Sequence, residues 1–169
     1  MESNMNAREL LAFAGKAAVQ TFKQNGEIIP VLHIVDDNGN HIPFHWAGGF
    51  GDHHAKQSTS EFMRKALKAA HAVRYALIME AWTVDEHGDT KLAMDMSSKG
   101  ISLEAHPDRI EVITIFVEDK LTKECLSRMY RILRPEHGKP TLAPPRDLDF
   151  SEGGGASGRF NNLFDEGES

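Results

Sequence analysis

The chain has 169 residues, 40% apolar and 26% charged, with a net charge of −6 and a single cysteine. That length and balance describe one ordinary globular domain with room for a tail, and the absence of any run of about 18 uninterrupted apolar residues excludes a helical membrane span. The start, MESNMNAREL, lacks the basic-then-apolar order of a secretory leader, and a lone Cys125 makes no internal disulfide, so a reducing cytoplasm is the expected compartment.

Charge is unevenly placed. Residues 136–169 hold seven acids and three bases, a net of −4, which leaves −2 for residues 1–135. An acidic chain repels a phosphate backbone unless basic groups cluster in space. The densest basic set, Arg128, Arg131 and Arg134, forms no such cluster, so nucleic acid is not an expected partner.

In chain order, Asn6 and Glu9 have the spacing of a capping box. Leu10, Phe13, Ala14, Ala17 and Thr21 then follow a helical stripe, and Asn25-Gly26 supplies a stop, which predicts a helix over 6–24. Residues 28–36 and 40–46 read as a hairpin turning at Asn38-Gly39. A two-residue turn there sets Val35 opposite Ile42, His33 opposite Phe44 and Val31 opposite Trp46, an apolar wall holding one histidine, with Pro43 on the other face. A loop from Gly48 to His54 follows. Ser58 and Glu61 offer a second capping box for a helix over 59–72.

Arg74 to Val84, RYALIMEAWTV, is the most strand-like run of the chain. Both of its alternating sets are largely apolar, as in an interior strand covered on both faces. Residues 85–108 form a polar excursion in which Leu92 to Met96 offers an edge piece. Strands are predicted over 110–118 and 125–133. Beyond Pro135, prolines and a Gly153–Gly155 run end the periodicity, so 136–169 reads as an extended, then disordered, acidic tail on a domain of residues 1–135.

The result is an α+β fold, α-β-β-α-β-β-β, with a five-stranded antiparallel sheet and two helices. This element order resembles that of profilin and roadblock folds. The resemblance is one of order alone and carries no residue roles.

Several residues are candidates for chemistry. His41, His45, Asp52, His53 and His54 fall within fourteen positions, and a loop returning the last three to the strand face of the first two would make a transition-metal site. His33, alone on an apolar face, and Glu80, a carboxylate in mid-strand, are candidate acid–base groups. Glu80 could instead pair with Arg128 or Arg131. Glu118, beside Asp119, is a third acidic candidate. Cys125 is expected to be a packed small residue.

In the tail, Phe160, Leu163 and Phe164 have i, i+3, i+4 spacing ahead of Asp165, Glu166 and Glu168, a pattern that lays an apolar face into a groove. That face is expected to meet a partner or to fold back over its own sheet.

The leading expectation is a cytoplasmic, non-enzymatic interaction module. It needs no cofactor and contacts a protein partner or a second copy of itself through a sheet edge and Phe160, Leu163 and Phe164. The alternatives are a metal-dependent hydrolase using His45, Asp52, His53 and His54 with Glu80 or Glu118 as base, and a small-ligand sensor with a cup lined by Phe44, Trp46 and Trp82.

Overall fold

The first element is helix α1, Ala7–Asn25. Asn6 and Glu9 form the expected capping box: Asn6 Oδ1 accepts the Glu9 N–H at 2.9 Å and Glu9 Oε2 accepts the Asn6 N–H at 3.4 Å. Gly26, at φ 73°, ends the helix in the left-handed conformation, and its N–H closes on the Phe22 carbonyl at 2.7 Å. Leu10, Ala14, Ala18 and Phe22 line the buried stripe between these caps. In this computed structural model the described residues are 4–45, 53–83, 109–149 and 163–164, with the side chains of 53–57 outside that description.

Strands β1, Val31–Asp36, and β2, His41–His45, form the hairpin, one residue out of the expected register. Val35 faces His41, His33 faces Pro43 and Val31 faces His45. The turn has three residues, not two. Gly39 N–H reaches the Asp36 carbonyl at 3.0 Å, and Gly39 itself, at φ 83°, is the left-handed residue that follows a type I turn. The Asp36 carboxylate secures this geometry by accepting the Asn38 and Asn40 N–H groups at 2.9 and 2.8 Å, which sequence spacing alone does not reveal. A one-residue slip turns every β2 side chain over. His41, Pro43 and His45 therefore share the face of His33, while Ile42 and Phe44 lie on the opposite face.

Helix α2, His53–Ala69, begins earlier than the Ser58 capping box predicts. No Gly or Pro stands between 53 and 69 to stop it, so Ser58 and Glu61 lie inside it. Next come β3, Ala72–Thr83, β4, Ile110–Asp119, and β5, Cys125–Leu133, a continuous antiparallel run. Residues 84–108, including Val84 and Leu92 to Met96, lie outside the described residues.

Among the described residues the sheet has seven strands rather than five. The two additional ones, β6, Thr141–Leu142, and β7, Arg146–Asp149, come from the segment expected to be only extended. Both pair antiparallel with β5. Between them Pro144 and Pro145 leave one more residue than β5 has opposite, a bulge that splits what is otherwise one edge strand. The strand order is β2-β1-β3-β4-β5-β6, with β7 beside β5.

The architecture is thus α+β, an antiparallel sheet with a helix on each face. Against α1 lie Val31, Val35, Ala76, Ile78, Ile113, Ile115 and Val117. Leu32, Ile34, Tyr75, Leu77 and Phe116 pack with Met63 and Leu67 of α2. Alternate residues of β3 enter both cores, as expected of an interior strand. Gly15 lets α1 approach β5: a Cβ there would stand 2.7 Å from Arg128 Nη1 and 3.0 Å from Tyr130 Oη. Arg74 and Asp119 form a buried pair at 2.8 Å where β3 meets the β4–β5 turn. No helix among the described residues is long and apolar enough to cross a membrane.

Candidate functional site

The register of the hairpin decides which histidines meet. His33 Nδ1 and His41 Nε2 are 2.8 Å apart, sharing one proton between two rings. Phe13 of α1 sets its edge against both, with ring centroids 5.4 Å from His33 and 5.0 Å from His41. His33 is only 7% exposed. Burial first, and then the charges of His41 and His45, lower its pKa to about 4. Burial also lowers that of His41. Both rings are neutral at pH 7, and adding a proton to each would set two N–H donors face to face.

His45 lies four residues along β2 from His41, on the same face. Asp52 lies outside the described residues, and of His53 and His54 only the backbone is described, at the start of α2. Among the described residues no three His, Cys, Asp or Glu side chains are grouped to hold a metal.

The three acid–base candidates are not brought together. Glu80 shares the α1 face with His33 but sits four residues along β3 from Ala76, the partner of His33, about 13 Å at the usual strand rise. Its Oε1 accepts the Ile28 N–H at 2.8 Å, closing the chain that leads into β1. Arg128, proposed as its counter-ion, is instead held by Asp147 through two bonds of 2.7 and 2.9 Å. Those bonds hold the Asp147 carboxyl below its ordinary pKa and raise that of Arg128. Glu118 lies on the other face, where its Oε2 accepts the Tyr75 hydroxyl at 2.6 Å. Nor do Phe44 and Trp82 line one cup. Phe44 stands 5.7 Å from Phe62 on the α2 face, whereas Trp82 shares the parity of Ala76 and Ile78 on the α1 face, under the Arg109 guanidinium at 5.1 Å. Trp46 and Phe160 lie outside the described residues.

The other two tail candidates are placed. Leu163 is 3% exposed within the α2-side core, and Phe164 packs beside it with its ring 5.2 Å from Tyr75. The Leu163 N–H donates to the Tyr75 hydroxyl at 3.3 Å, so the phenol accepts from the tail while it donates to Glu118. Burial, followed by the nearby Glu118 charge, raises the Tyr75 pKa, and the phenol stays protonated.

Leu163 and Phe164 form one side of a groove of about 580 Å³ at the C-terminal end of α2. Among the described residues it is lined by Leu67, Ala72 and Val73, together with Arg64, Lys65, Lys68, His71, Lys120 and one acid, Asp37. His71 turns the chain out of α2 at φ 53°, and its carbonyl accepts the Asp37 N–H at 3.0 Å. Lys120 comes from across the sheet, where its N–H donates to the Val73 carbonyl at 2.8 Å. Sequence reasoning missed this lining. Its legible part is the spacing of Arg64, Lys65 and Lys68 on one helical face. Lys120 joins only through the pairing of β3 with β4.

No protein-family model matches the chain, and comparison with curated proteins and with solved structures returns no match.

Proposed function

We propose that the protein is a non-enzymatic interaction module of the cytoplasm, making protein contacts through its C-terminal segment and its open sheet edge. One observation carries this reading: Leu163 and Phe164 return across the chain to a shaped seat, where a backbone N–H as well as two side chains is received. A domain that reads its own short apolar segment has the apparatus of peptide-in-groove recognition. In the sequence Phe160 stands at i, i+3, i+4 spacing with Leu163 and Phe164.

The open edge supports the reading from a second direction. Ile42, 38% exposed, and Phe62, 48% exposed, flank Phe44 beside β2, the outermost strand among the described residues. In the hairpin's hydrogen-bond phase, set by the Asp36 N–H to Asn40 carbonyl bond, the Pro43 nitrogen points to the open edge. Proline removes the central donor from that edge, so a partner meets side chains there rather than adding a strand. We also place the fold beside those of profilin and roadblock type, whose element order α1 to β5 resembles.

The test is quantitative affinity capture with the full chain, comparing wild type with Ile42→Asp/Phe62→Asp and with Leu163→Asp/Phe164→Asp. The expected result is a defined set of proteins held by wild type and lost from one or both variants at unchanged fold. Identical recoveries from all three baits would overturn the reading.

A further inference from the structure

We propose that the β5 edge is a strand-acceptor site, and that the chain's own segment 141–149, which fills it within one chain, is exchanged with the same segment of a second copy to make a dimer. This edge is at the other end of the sheet from β2, so the exchange stands or falls separately from the contacts proposed above.

The segment lies on β5 without joining the core. None of residues 141–149 is buried: Leu142, Ala143 and Leu148 are half-buried, and the other six are exposed. Leu126, Tyr130 and Ile132 of β5 beside it are buried. Removing the segment therefore uncovers little apolar surface but leaves β5 backbone donors and acceptors without partners. An edge of that kind takes another strand, and the strand that fits this one is the segment itself.

The fit is specific in register and in charge. Ile132 faces Leu142, Arg128 faces Asp147 and Leu126 faces Asp149. Arg128 of β5 grips Asp147 through two bonds of 2.7 and 2.9 Å, and Arg8 of α1 reaches Asp149 at 3.2 Å. The two aspartates are two residues apart, hence on one face of the strand, and two elements supply an arginine each. Leu142 packs on the α1-side core. The acceptor's groups precede the 134–140 connection and the segment's groups follow it, so exchange between two copies keeps every contact. Leu163 and Phe164 also follow that connection, and their seat beside Tyr75 is refilled in the same way.

The connection can open. In the closed chain residues 134–140 double back between β5 and β6, with Gly138 at φ 118°, a conformation that residues with a Cβ rarely adopt. Gly138 is thus what permits closure. Pro135 and Pro140 suit extended chain, each fixing its own φ and pushing the residue before it out of the helical region. Seven extended residues span up to about 24 Å, enough to carry the segment away from its own β5. A tethered segment has an effective concentration on the order of millimolar, so a second copy competes as the protein approaches that concentration.

A cysteine pair in the full chain reads the exchange. Met129 and Arg146 face each other across β5 and β7, within the reach of a disulfide. Met129→Cys/Arg146→Cys therefore oxidises within one chain if the segment stays in its own chain, and between chains if it is exchanged. Reduced protein is oxidised slowly at about 10 µM and at about 1 mM, the second near the effective concentration of the tethered segment. Covalent dimer on a non-reducing gel is expected to rise with concentration. Adding Gly138→Val, which strains the closed turn and not the extended one, should raise the dimer roughly tenfold at the lower concentration. Monomer alone at both concentrations, with either residue at 138, would overturn exchange. So would dimer that Gly138→Val leaves unchanged, or dimer formed equally by Met129→Cys alone. A pair that oxidises in neither way would remove β7 from β5, and the acceptor site with it.

Discussion

Tyr75 and Glu118 face each other across β3 and β4 with the phenol donating to the carboxylate at 2.6 Å, and the same phenol oxygen receives the Leu163 N–H at 3.3 Å. One hydroxyl thus ties two interior strands to the C-terminal segment. Tyr75→Phe keeps the ring packing and removes both bonds. A hydrogen bond to a charged group is worth about 1.5–3 kcal/mol. Loss of about 2 kcal/mol is expected in urea denaturation, together with faster exchange of the Leu163 N–H. Unchanged stability would mean that ordered water replaces the phenol at no cost.

Gly15 is a packing glycine inside a helix. Replacing it by alanine gains up to about 1 kcal/mol in helix propensity. The new methyl would meet Arg128 Nη1 at 2.7 Å, and that guanidinium cannot swing aside without releasing Asp147. Overpacking costs typically 1–3 kcal/mol. Gly15→Ala is therefore expected to lower Tm by roughly 2–4 °C. A raised Tm would show that the Arg128–Asp147 pair yields freely and that the close approach of α1 to β5 is not needed.

His71 holds the opposite kind of position, a left-handed turn at φ 53° filled by a residue with a Cβ. Such a conformation costs on the order of 1 kcal/mol, partly offset by the greater freedom glycine has when unfolded. His71 is exposed and has little packing to lose. His71→Gly should therefore be neutral to stabilising, by about 0.5 kcal/mol, in a denaturation experiment. A clear loss of stability would locate a contact of the imidazole that outweighs the strain.

The elements that were legible in the sequence are those set by local patterns. α1 has its capping box and glycine stop, and β3 has two apolar sets. What was hidden depends on one turn and on two prolines. Asp36 chelates the amides of the turn, which adds a loop residue and moves His41 and His45 to the side of His33. Even spacing already placed His41 and His45 on one face, but the meeting of His33 with His41 follows only from the register. Pro144 and Pro145 mask β6 and β7, because a bulge in an edge strand lacks the alternation that marks an interior one. The lining of the groove joins α2 to the β4–β5 turn, an adjacency that exists only once β3 and β4 have paired.

Acid should act first through the histidine pair. His33 titrates near 6.5 when unfolded and at about 4 when folded, because burial and the neighbouring histidines disfavour its charged form. Between those values the unfolded chain binds the additional proton, so stability rises with pH and is complete above about 6.5. The full shift corresponds to about 3 kcal/mol, and the lowered pKa of His41 acts in the same direction. The carboxylates with depressed values, Asp36, Asp119 and Asp147, start from 3.8 and release their stabilisation only below it, which leaves the window from 6.5 to 4.5 to the histidines. Urea denaturation at pH 7.5 and pH 4.5 should show a loss of about 2–3 kcal/mol in wild type. His33→Leu, which cannot titrate, should show a much flatter dependence over the same window. Equal slopes for the two proteins would mean that His33 takes up its proton in the folded state as readily as in the unfolded one, and that its 2.8 Å contact with His41 opens without cost.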